Sequence, residues 1–145
     1  MVFLIGTRVS LTHPIRSFRD VGGMRGMFHM LRYLSEHPDK GLLGYQVYGL
    51  TMIVQYWRSF DHLERFANDD ADPHLAVRRR YWKRVGQDPR SGIWHETFLV
   101  RDGENEAVYA NMPPHGLAKA TEVVTLGEDS SARRRLKRPA GGEQS

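Results

Sequence analysis

Three consecutive residues, Trp94-His95-Glu96, are the densest group of polar and aromatic side chains in the chain. On a strand, His95 lies on one face of the sheet, whereas Trp94 and Glu96 lie on the other. An imidazole has an ordinary pKa near ~6.5, which suits proton transfer at neutral pH. If His95 lines a cavity, it is a candidate general base or haem axial ligand. The alternative is an interface or core histidine whose hydrogen bonds are satisfied.

A second histidine, His74, lies in the first turn of a helix that Asp72-Pro73 is predicted to open. Aspartate is a good N-cap, and proline suits the first helical position. The positive end of the helix dipole lowers the pKa of an imidazole and favours its neutral form. A neutral imidazole accepts a proton or binds a metal, so His74 is a second candidate base. The alternative is a surface residue beside the cap, and the spacing leaves open whether His74 and His95 face one pocket.

Tyr56, Trp57 and Arg58 close a predicted strand and are suited to hold a planar acidic substrate. Trp57 would stack on such a substrate, and Arg58 would pair with its phenolate or carboxylate. The alternative for Trp57 is packing in the core or in a dimer interface. Glu96 is either a buried partner of Arg58, which would lower the pKa of Glu96, or an exposed charge on its strand.

The last predicted strand places Tyr109 and Asn111 on one face. Asn111 is a candidate hydrogen-bond donor to a developing enolate or phenolate oxygen. Otherwise it is a turn residue that bonds its own backbone. The candidate catalytic residues are therefore His95, His74, Arg58 and Asn111. The candidate substrate contacts are Tyr56, Trp57, Trp94, Glu96, Tyr109 and Met27. Met27, like Met24 and Met30, has the helical spacing of adaptable pocket or core lining and is not predicted to bind a metal.

Composition excludes several function classes. The chain has no cysteine, so disulfides, thiolate nucleophiles and cysteine-ligated metals are excluded. No apolar run approaches the ~20 residues that span a bilayer, and the N-terminus does not resemble a signal peptide, so we predict a cytoplasmic protein without a membrane partner. The glycines at 22, 23 and 26 lack the spacing of a dinucleotide-binding loop. No flavin, nicotinamide or phosphate-loop signature is present.

The net charge of +4 does not indicate a nucleic-acid partner. Residues 128–145 hold five of the basic residues against three acidic ones, and elsewhere the two signs alternate. A nucleic-acid-binding protein usually has a concentrated basic face, and none is visible here. We predict one domain over residues 1–127 and a disordered basic tail over 128–145.

The elements that must position the candidate residues follow from hydrophobic periodicity. Strands are predicted over 2–9, 42–48, 51–58, 93–100 and 106–111. Helices are predicted over 15–36, weakened or restarted near Gly22, and over 59–68 and 72–85. This order indicates an α+β fold of the ferredoxin-like type, with helices on one face of an antiparallel sheet. The other face is predicted to hold Tyr45, Val47, Ile53, Trp57, Ile93 and Leu99. Because such a patch is too apolar for water, we predict a homodimer through this sheet face.

Several segments resemble a known family. Tyr56 to Phe60 and Leu63 to Ala67 resemble the strand-to-helix joint of dimeric α+β barrel proteins of the antibiotic biosynthesis monooxygenase type. The chain is most similar to a small monooxygenase-like family named after a fumagillin-pathway enzyme. The further matching segments are His37-Pro38, Gly41 to Gly44, Val54 to Ser59, His74-Leu75, Val85-Gly86, Gly92 to Thr97 and Tyr109 to Pro114. Together they cover roughly residues 2–120.

The resemblance implies a ferredoxin-like protomer, a barrel-forming dimer and oxidation of an aromatic or polyketide-like molecule in secondary metabolism. The superfamily includes cofactor-free oxygenases and haem enzymes, so three hypotheses follow. The first is a small tailoring oxygenase without a metal or flavin, with His95 or His74 as base and Arg58 and Asn111 as anion clamp. The second is a haem-binding oxidase or aldoxime-dehydratase-like enzyme. The third is a non-catalytic dimer that binds a small hydrophobic molecule.

Overall fold

Helices and strands alternate along the chain much as hydrophobic periodicity predicts. The computed structural model describes residues 1–20, 26–49, 51–86, 88, 90–101, 103–121 and 131–136. The strands are β1 (Val2–Val9), β2 (Leu42–Tyr48), β3 (Met52–Trp57) and β4 (Ser91–Phe98). The α-helices are α1 (Pro14–Asp20), α2 (Met27–Glu36), α3 (Phe60–Asn68), α4 (Pro73–Val85) and α5 (Ala132–Leu136), and 3-10 helices span Pro38–Lys40 and Gly116–Lys119.

The four strands form one sheet in the order β2-β3-β1-β4, and every neighbouring pair is antiparallel. Helices α2 and α3 cover one face, where Met30, Leu34 and Phe66 pack around Trp57 in the core. Val77 of α4 packs against the same cluster. This arrangement confirms the predicted ferredoxin-like α+β fold. The pairing of two such sheets in a dimeric barrel stays a prediction.

The strand register decides which residues lie beneath the helices. Phe3 of β1 is opposite Gln55 of β3 and Thr97 of β4, and Ile5 of β1 is opposite Ile53 and His95. Residues that pair across a sheet share a face. The odd-numbered residues of β1, β3 and β4 therefore lie on the helix side of the sheet, where Ile53, Gln55 and Trp57 are buried. The even-numbered residues lie on the opposite side, which we call the open face.

The predicted membership of the open face is wrong. Trp57 is 1% exposed in the core, and Ile93 lies on the same side of the sheet as Ile5 and His95. Tyr45 and Val47 pair with Gln55 and Ile53, so they also lie on the helix side, and Leu99 follows the end of β4. The error has a physical reason: β3 is apolar on both faces, so alternation yields two candidate sets without telling which one the helices cover.

One further prediction needs correction in the second half of the chain. Residues 106–111, predicted as a strand, form irregular backbone in which Asn111 has φ +54°. A left-handed residue cannot continue a strand. The chain instead continues to the 3-10 helix Gly116–Lys119, which packs on β2. A Cβ at Gly116 (φ +55°) would lie 3.0 Å from Tyr56 Oη, so glycine suits this close approach.

Helix boundaries agree with the sequence signals where those signals are local. Ser59 caps α3, since its Oγ accepts a hydrogen bond from the His62 amide at 3.3 Å, and Gly86 follows the end of α4. The helix predicted over 15–36 is two helices, α1 and α2. Residues 21–25, including Gly22 and Met24, lie outside the described residues. α5 is a single turn within the predicted tail, and the domain boundary at 127 stays a prediction.

No helix in the described part of the chain has both the length and the apolar composition needed to cross a bilayer.

Asp72 begins α4, yet its side chain does not cap the helix. The side chain is buried, at 2% exposure, and accepts hydrogen bonds from Tyr33 Oη at 2.7 Å and from Lys40 Nζ at 2.9 Å. These bonds join α2, the 3-10 helix Pro38–Lys40 and the start of α4. The bond to Asp72 also raises the pKa of Lys40 and of Tyr33. The carboxylate therefore fixes the start of α4 relative to α2 and to the 3-10 helix Pro38–Lys40.

Replacing Asp72 with alanine is expected to lower the free energy of unfolding by about 2 kcal/mol, because it leaves two donors without their acceptor in a largely buried site. Urea denaturation measures this change. Asp70→Ala is the matched control: Asp70 pairs with Arg79 at the surface, with both side chains exposed, and should cost less than about 1 kcal/mol. Equal losses in the two variants would contradict the structural role of Asp72.

Candidate functional site

A cavity of about 840 Å³ lies between the helix side of the sheet and helices α2, α3 and α4. Its apolar lining residues are Phe3, Ile5, Met27, Met30, Leu34, Trp57, Phe60, Leu63, Phe66, Ala67, Val77, Trp82 and Ile93. Its polar lining residues are Thr7, Arg19, Gln55, Glu64, Asn68, His74, Arg78, Arg80, Tyr81, Arg84, His95 and Thr97. A cavity of this size, lined by apolar side chains together with polar ones, is typical of a small-molecule site.

The structure divides the ten predicted site residues between two sides of the sheet. The cavity is lined by His95, His74, Trp57 and Met27. The residues that do not line it are Arg58, Asn111, Tyr56, Trp94, Glu96 and Tyr109. Both candidate bases thus line one cavity, although they come from α4 and β4.

His74 has the environment of a neutral base. Its Nδ1 lies 3.0 Å from the Ala67 carbonyl oxygen, which can only accept, so Nδ1 carries the proton and Nε2 keeps the free lone pair. Burial lowers the pKa of His74, and the positive charge of Arg78 lowers it further, while the bond to Ala67 acts in the opposite direction. The ring also packs against Phe66, with centroids 5.7 Å apart. His74 is therefore a half-buried, neutral imidazole in the cavity wall.

His95 lies at the mouth of the cavity. It is on β4, an edge strand, and its ring centroid is 5.5 Å from that of Phe3. The side chain is exposed, as are those of Ile93 and Thr97 on the same face of the strand. The helices therefore do not close over β4, and solvent reaches the cavity along this strand. His95 can exchange protons with water, whereas His74 is better shielded from it.

Gln55 is a functional candidate that the sequence prediction missed. It is 4% exposed and lines the cavity from the centre of β3. Trp57 Nε1 donates to Gln55 Oε1 at 2.9 Å, and since an indole N–H can only donate, the bond fixes which end of the amide is oxygen. Gln55 Nε2 is 3.7 Å from Met27 Sδ, a weak acceptor. A buried amide donor with such a modest partner is available to a ligand. The signal in the sequence was a lone glutamine on the same strand face as a tryptophan.

The remaining predicted residues lie on or beside the open face. The Trp94 indole occupies the space that a Cβ would take at Gly6, and Glu96 is an exposed residue opposite Leu4. Arg58 is exposed beyond the end of β3. Within the described residues, no salt bridge joins Arg58 to Glu96.

Tyr56 and Tyr109 hold the chain segment that crosses this side of the sheet. Tyr109 Oη accepts a hydrogen bond from the Ala118 amide at 3.1 Å. Burial raises the pKa of Tyr56, and the nearby hydroxyls of Tyr48 and Tyr109 raise it further. Asn111 has a left-handed backbone in the same segment. These residues fix the 3-10 helix Gly116–Lys119 to β2 and β3 and do not reach the cavity.

Among the described residues, no group of three or more histidine, aspartate or glutamate side chains is arranged to hold a metal ion.

The lowered pKa of His74 predicts a specific pH dependence. The folded protein binds fewer protons at His74 than the unfolded chain does, so this residue reduces stability below the unfolded pKa of ~6.5. As pH falls from ~6.5 towards the folded pKa, wild-type protein should lose stability that His74→Gln retains. The urea concentration at the unfolding midpoint, measured at several pH values from about 7.5 to about 5, gives this difference. His29→Gln, which replaces an exposed histidine, is the control, and an identical pH slope in wild type and His74→Gln would contradict the prediction.

A known protein family matches most of this chain. The chain matches no curated protein and no solved structure. Residues 1–117 match the family described as Monooxygenase af470-like, which covers β1 to β4, the lining of the cavity and most of the segment on the open face. The match extends over most of the chain and includes both histidines and Gln55. The chain therefore belongs to the Monooxygenase af470-like family.

Proposed function

We propose that this protein is a tailoring oxygenase that oxidises a hydrophobic aromatic or polyketide-like metabolite with dioxygen, without a metal or flavin. One observation carries the proposal: a neutral imidazole, His74, and a buried amide donor, Gln55, line the same apolar cavity. The description of the family supports the reaction class. The cavity volume of about 840 Å³ suits a substrate of several fused rings.

The chemistry relies on electrons that the substrate itself supplies. His74 Nε2 takes a proton from an acidic C–H group, and the resulting carbanion delocalises into the rings and places charge on an oxygen. Gln55 Nε2–H donates to that oxygen in a poorly hydrated site, where such a bond is strong. The anion then reduces dioxygen. Overall, a CH₂ group and dioxygen give a carbonyl group and water, so no further reductant is required.

The two histidines have different tasks in this proposal. His74 is shielded and neutral, which suits the first proton transfer. His95 is exposed at the mouth and relays protons between the cavity and water. Arg58 and Asn111 do not line the cavity, so Gln55 takes the role of anion stabiliser that the sequence assigned to them. Trp57 keeps the Gln55 amide in its orientation.

Dioxygen uptake with anthrone-type compounds tests the proposal, because their CH₂ group gives an anion delocalised over two aromatic rings. We expect wild-type protein to consume dioxygen and to yield a product that has gained one oxygen and lost two hydrogens. His74→Gln and Gln55→Leu should each lower kcat by about 10²-fold, since one removes the base and the other the oxyanion donor. Gln46→Leu is the matched control, because Gln46 lies on the open face, bonded to Lys119.

Activity and binding measurements on the histidine variants, together with a haemin titration, distinguish the alternative functions. Full activity in both His74→Ala and His95→Ala would show that neither histidine is the base. A Soret band on haemin titration that shifts when one histidine is replaced would favour the haem enzyme. Binding of the compounds without dioxygen uptake, equal in wild type and in the His74→Ala, His95→Ala double variant, would favour a non-catalytic binding protein.

We also propose that two chains associate through the open face. Trp94 and Phe98 of β4 are 42% and 50% exposed there, beside the half-buried Val2 and Leu4 of β1. The 3-10 helix Gly116–Lys119 already packs on β2 in the same layer. The exposed apolar side chains over β1 and β4, which flank the exposed Glu96, are what a second copy would bury.

Trp94→Glu is expected to convert the dimer into a monomer, because it replaces an apolar contact with a second carboxylate beside Glu96 in the proposed interface. Sedimentation equilibrium measures the mass. Trp82→Glu is the control: Trp82 is 60% exposed on α4, away from the open face, so this variant should keep the wild-type mass. A monomeric wild type, or dissociation by both variants alike, would contradict the proposed interface.

A further inference from the structure

We propose that the ligand of the cavity is an amphipathic anion, whose apolar body enters the cavity while its acidic group binds arginines at one end of the mouth. The inference rests on the proposed function only in taking the cavity as the binding site. It adds the charge and polarity of the substrate, which neither the fold nor the proposed chemistry requires.

The first observation is the charge around the cavity. Four of its lining residues are arginines, Arg19, Arg78, Arg80 and Arg84, and all four are exposed. A single carboxylate, Glu64, is among the lining residues, and it is also exposed. The interior is walled by aromatic and aliphatic side chains. The charge is therefore concentrated at the mouth, and its sign is positive.

Two of these four arginines have no salt-bridge or hydrogen-bond partner within the described residues. Arg84 pairs with Asp20 at 3.6 Å and donates to the Asp20 carbonyl at 2.6 Å, while Arg78 contacts the Asn68 amide oxygen at 3.5 Å. Arg19 and Arg80 make no salt bridge or hydrogen bond within the part of the chain that the structure describes. Elsewhere on α4, Arg79 pairs with Asp70. Arg19 and Arg80 are thus the guanidinium groups available to a ligand.

Three of the four arginines lie in one region of the structure, where α1 meets α4. Arg80 and Arg84 are four residues apart on α4, so they lie on one face, a turn apart. Arg19 is in the last turn of α1, which packs against α4, and its neighbour Asp20 binds Arg84. Burial raises the pKa of Tyr81, which lies between Arg80 and Arg84 in the sequence, and the charge of Asp20 raises it further. Arg19, Arg80 and Arg84 therefore gather where α1 meets α4.

This grouping has a chemical consequence. A guanidinium binds a carboxylate, sulfonate or phosphate through paired charge-assisted hydrogen bonds, and a cleft with low-dielectric walls focuses the positive potential. A neutral ligand of the same shape would gain the apolar contacts alone. The cavity should therefore prefer the anionic member of a pair of ligands that share one apolar body.

The test compares two probes that differ by one group. 1-Anilinonaphthalene-8-sulfonate is anionic, and N-phenyl-1-naphthylamine is the same ring system without the sulfonate; fluorescence titration gives Kd for each. We expect the charge to add about tenfold to the affinity of wild-type protein for the sulfonate relative to the neutral probe. In the Arg19→Gln, Arg80→Gln double variant, this preference should fall to within about twofold while the Kd of the neutral probe is retained.

Arg79→Gln is the matched control, because it removes one positive charge from the same helix at a residue that does not line the cavity. It should keep the full preference, and added salt should reduce the preference in every protein that has it. Equal affinity of wild type for the two probes, or an equal loss of preference in Arg79→Gln and in the double variant, would overturn the inference.

A variant that narrows the cavity separates this inference from the proposed function. Ala67→Phe adds a ring to the cavity wall and should weaken binding of the neutral probe. If it does, while the sulfonate gives no gain in wild type, the inference fails and the cavity remains a binding site. If Ala67→Phe changes neither Kd, the probes bind elsewhere, and both the inference and the proposed site are wrong.

Discussion

The hydrogen bond from Trp57 Nε1 to Gln55 Oε1 is the interaction on which the rest of the structure depends. Trp57 is 1% exposed and has the largest side chain in the core, so its indole N–H needs a partner within the protein. Gln55, two residues earlier on the same strand face, is that partner. Trp57 belongs to the core cluster under α2 and α3, and the bond fixes the amide that lines the cavity. Stability and the candidate chemistry thus share one buried pair.

Local signals predicted the elements well, because each signal lies within a few residues of the feature that it marks. Ser59 caps α3, and Pro73 begins α4, where the side-chain chemistry predicts them. The choice of sheet face could not be predicted in this way, since it depends on where the helices pack. The assignment of Ile53 and Trp57 to the open face failed for that reason. The prediction of a final strand failed because the backbone over 106–111 is irregular, Asn111 is left-handed, and the chain continues to a 3-10 helix that packs on β2.

The candidate site was predictable by residue type and much less by position. Histidines were selected as titratable groups, and both His74 and His95 line the cavity, but their convergence depends on the packing of α4 against the sheet. Gln55 was passed over because a lone neutral amide on the strand face of a tryptophan is only a weak sequence signal of function. What distinguishes it is burial beside a tryptophan, and burial is a tertiary property. The group of arginines at the cavity mouth likewise could not be predicted from the sequence, because it depends on the packing of α1 against α4.

Strand β4 contributes side chains both to the cavity mouth and to the open face. A change at one of these surfaces therefore affects the other. His95 borders the cavity mouth, whereas Trp94, the preceding residue, lies across Gly6 on the open face. Because successive side chains of a strand point to opposite faces, the cavity side and the open face are one residue apart. Among the described strands, β4 lies at the edge and hydrogen-bonds only to β1, so contacts on the open face are what would restrain it. Burying Trp94 against a second chain would therefore steady the strand that carries His95, and association would support the geometry of the cavity mouth.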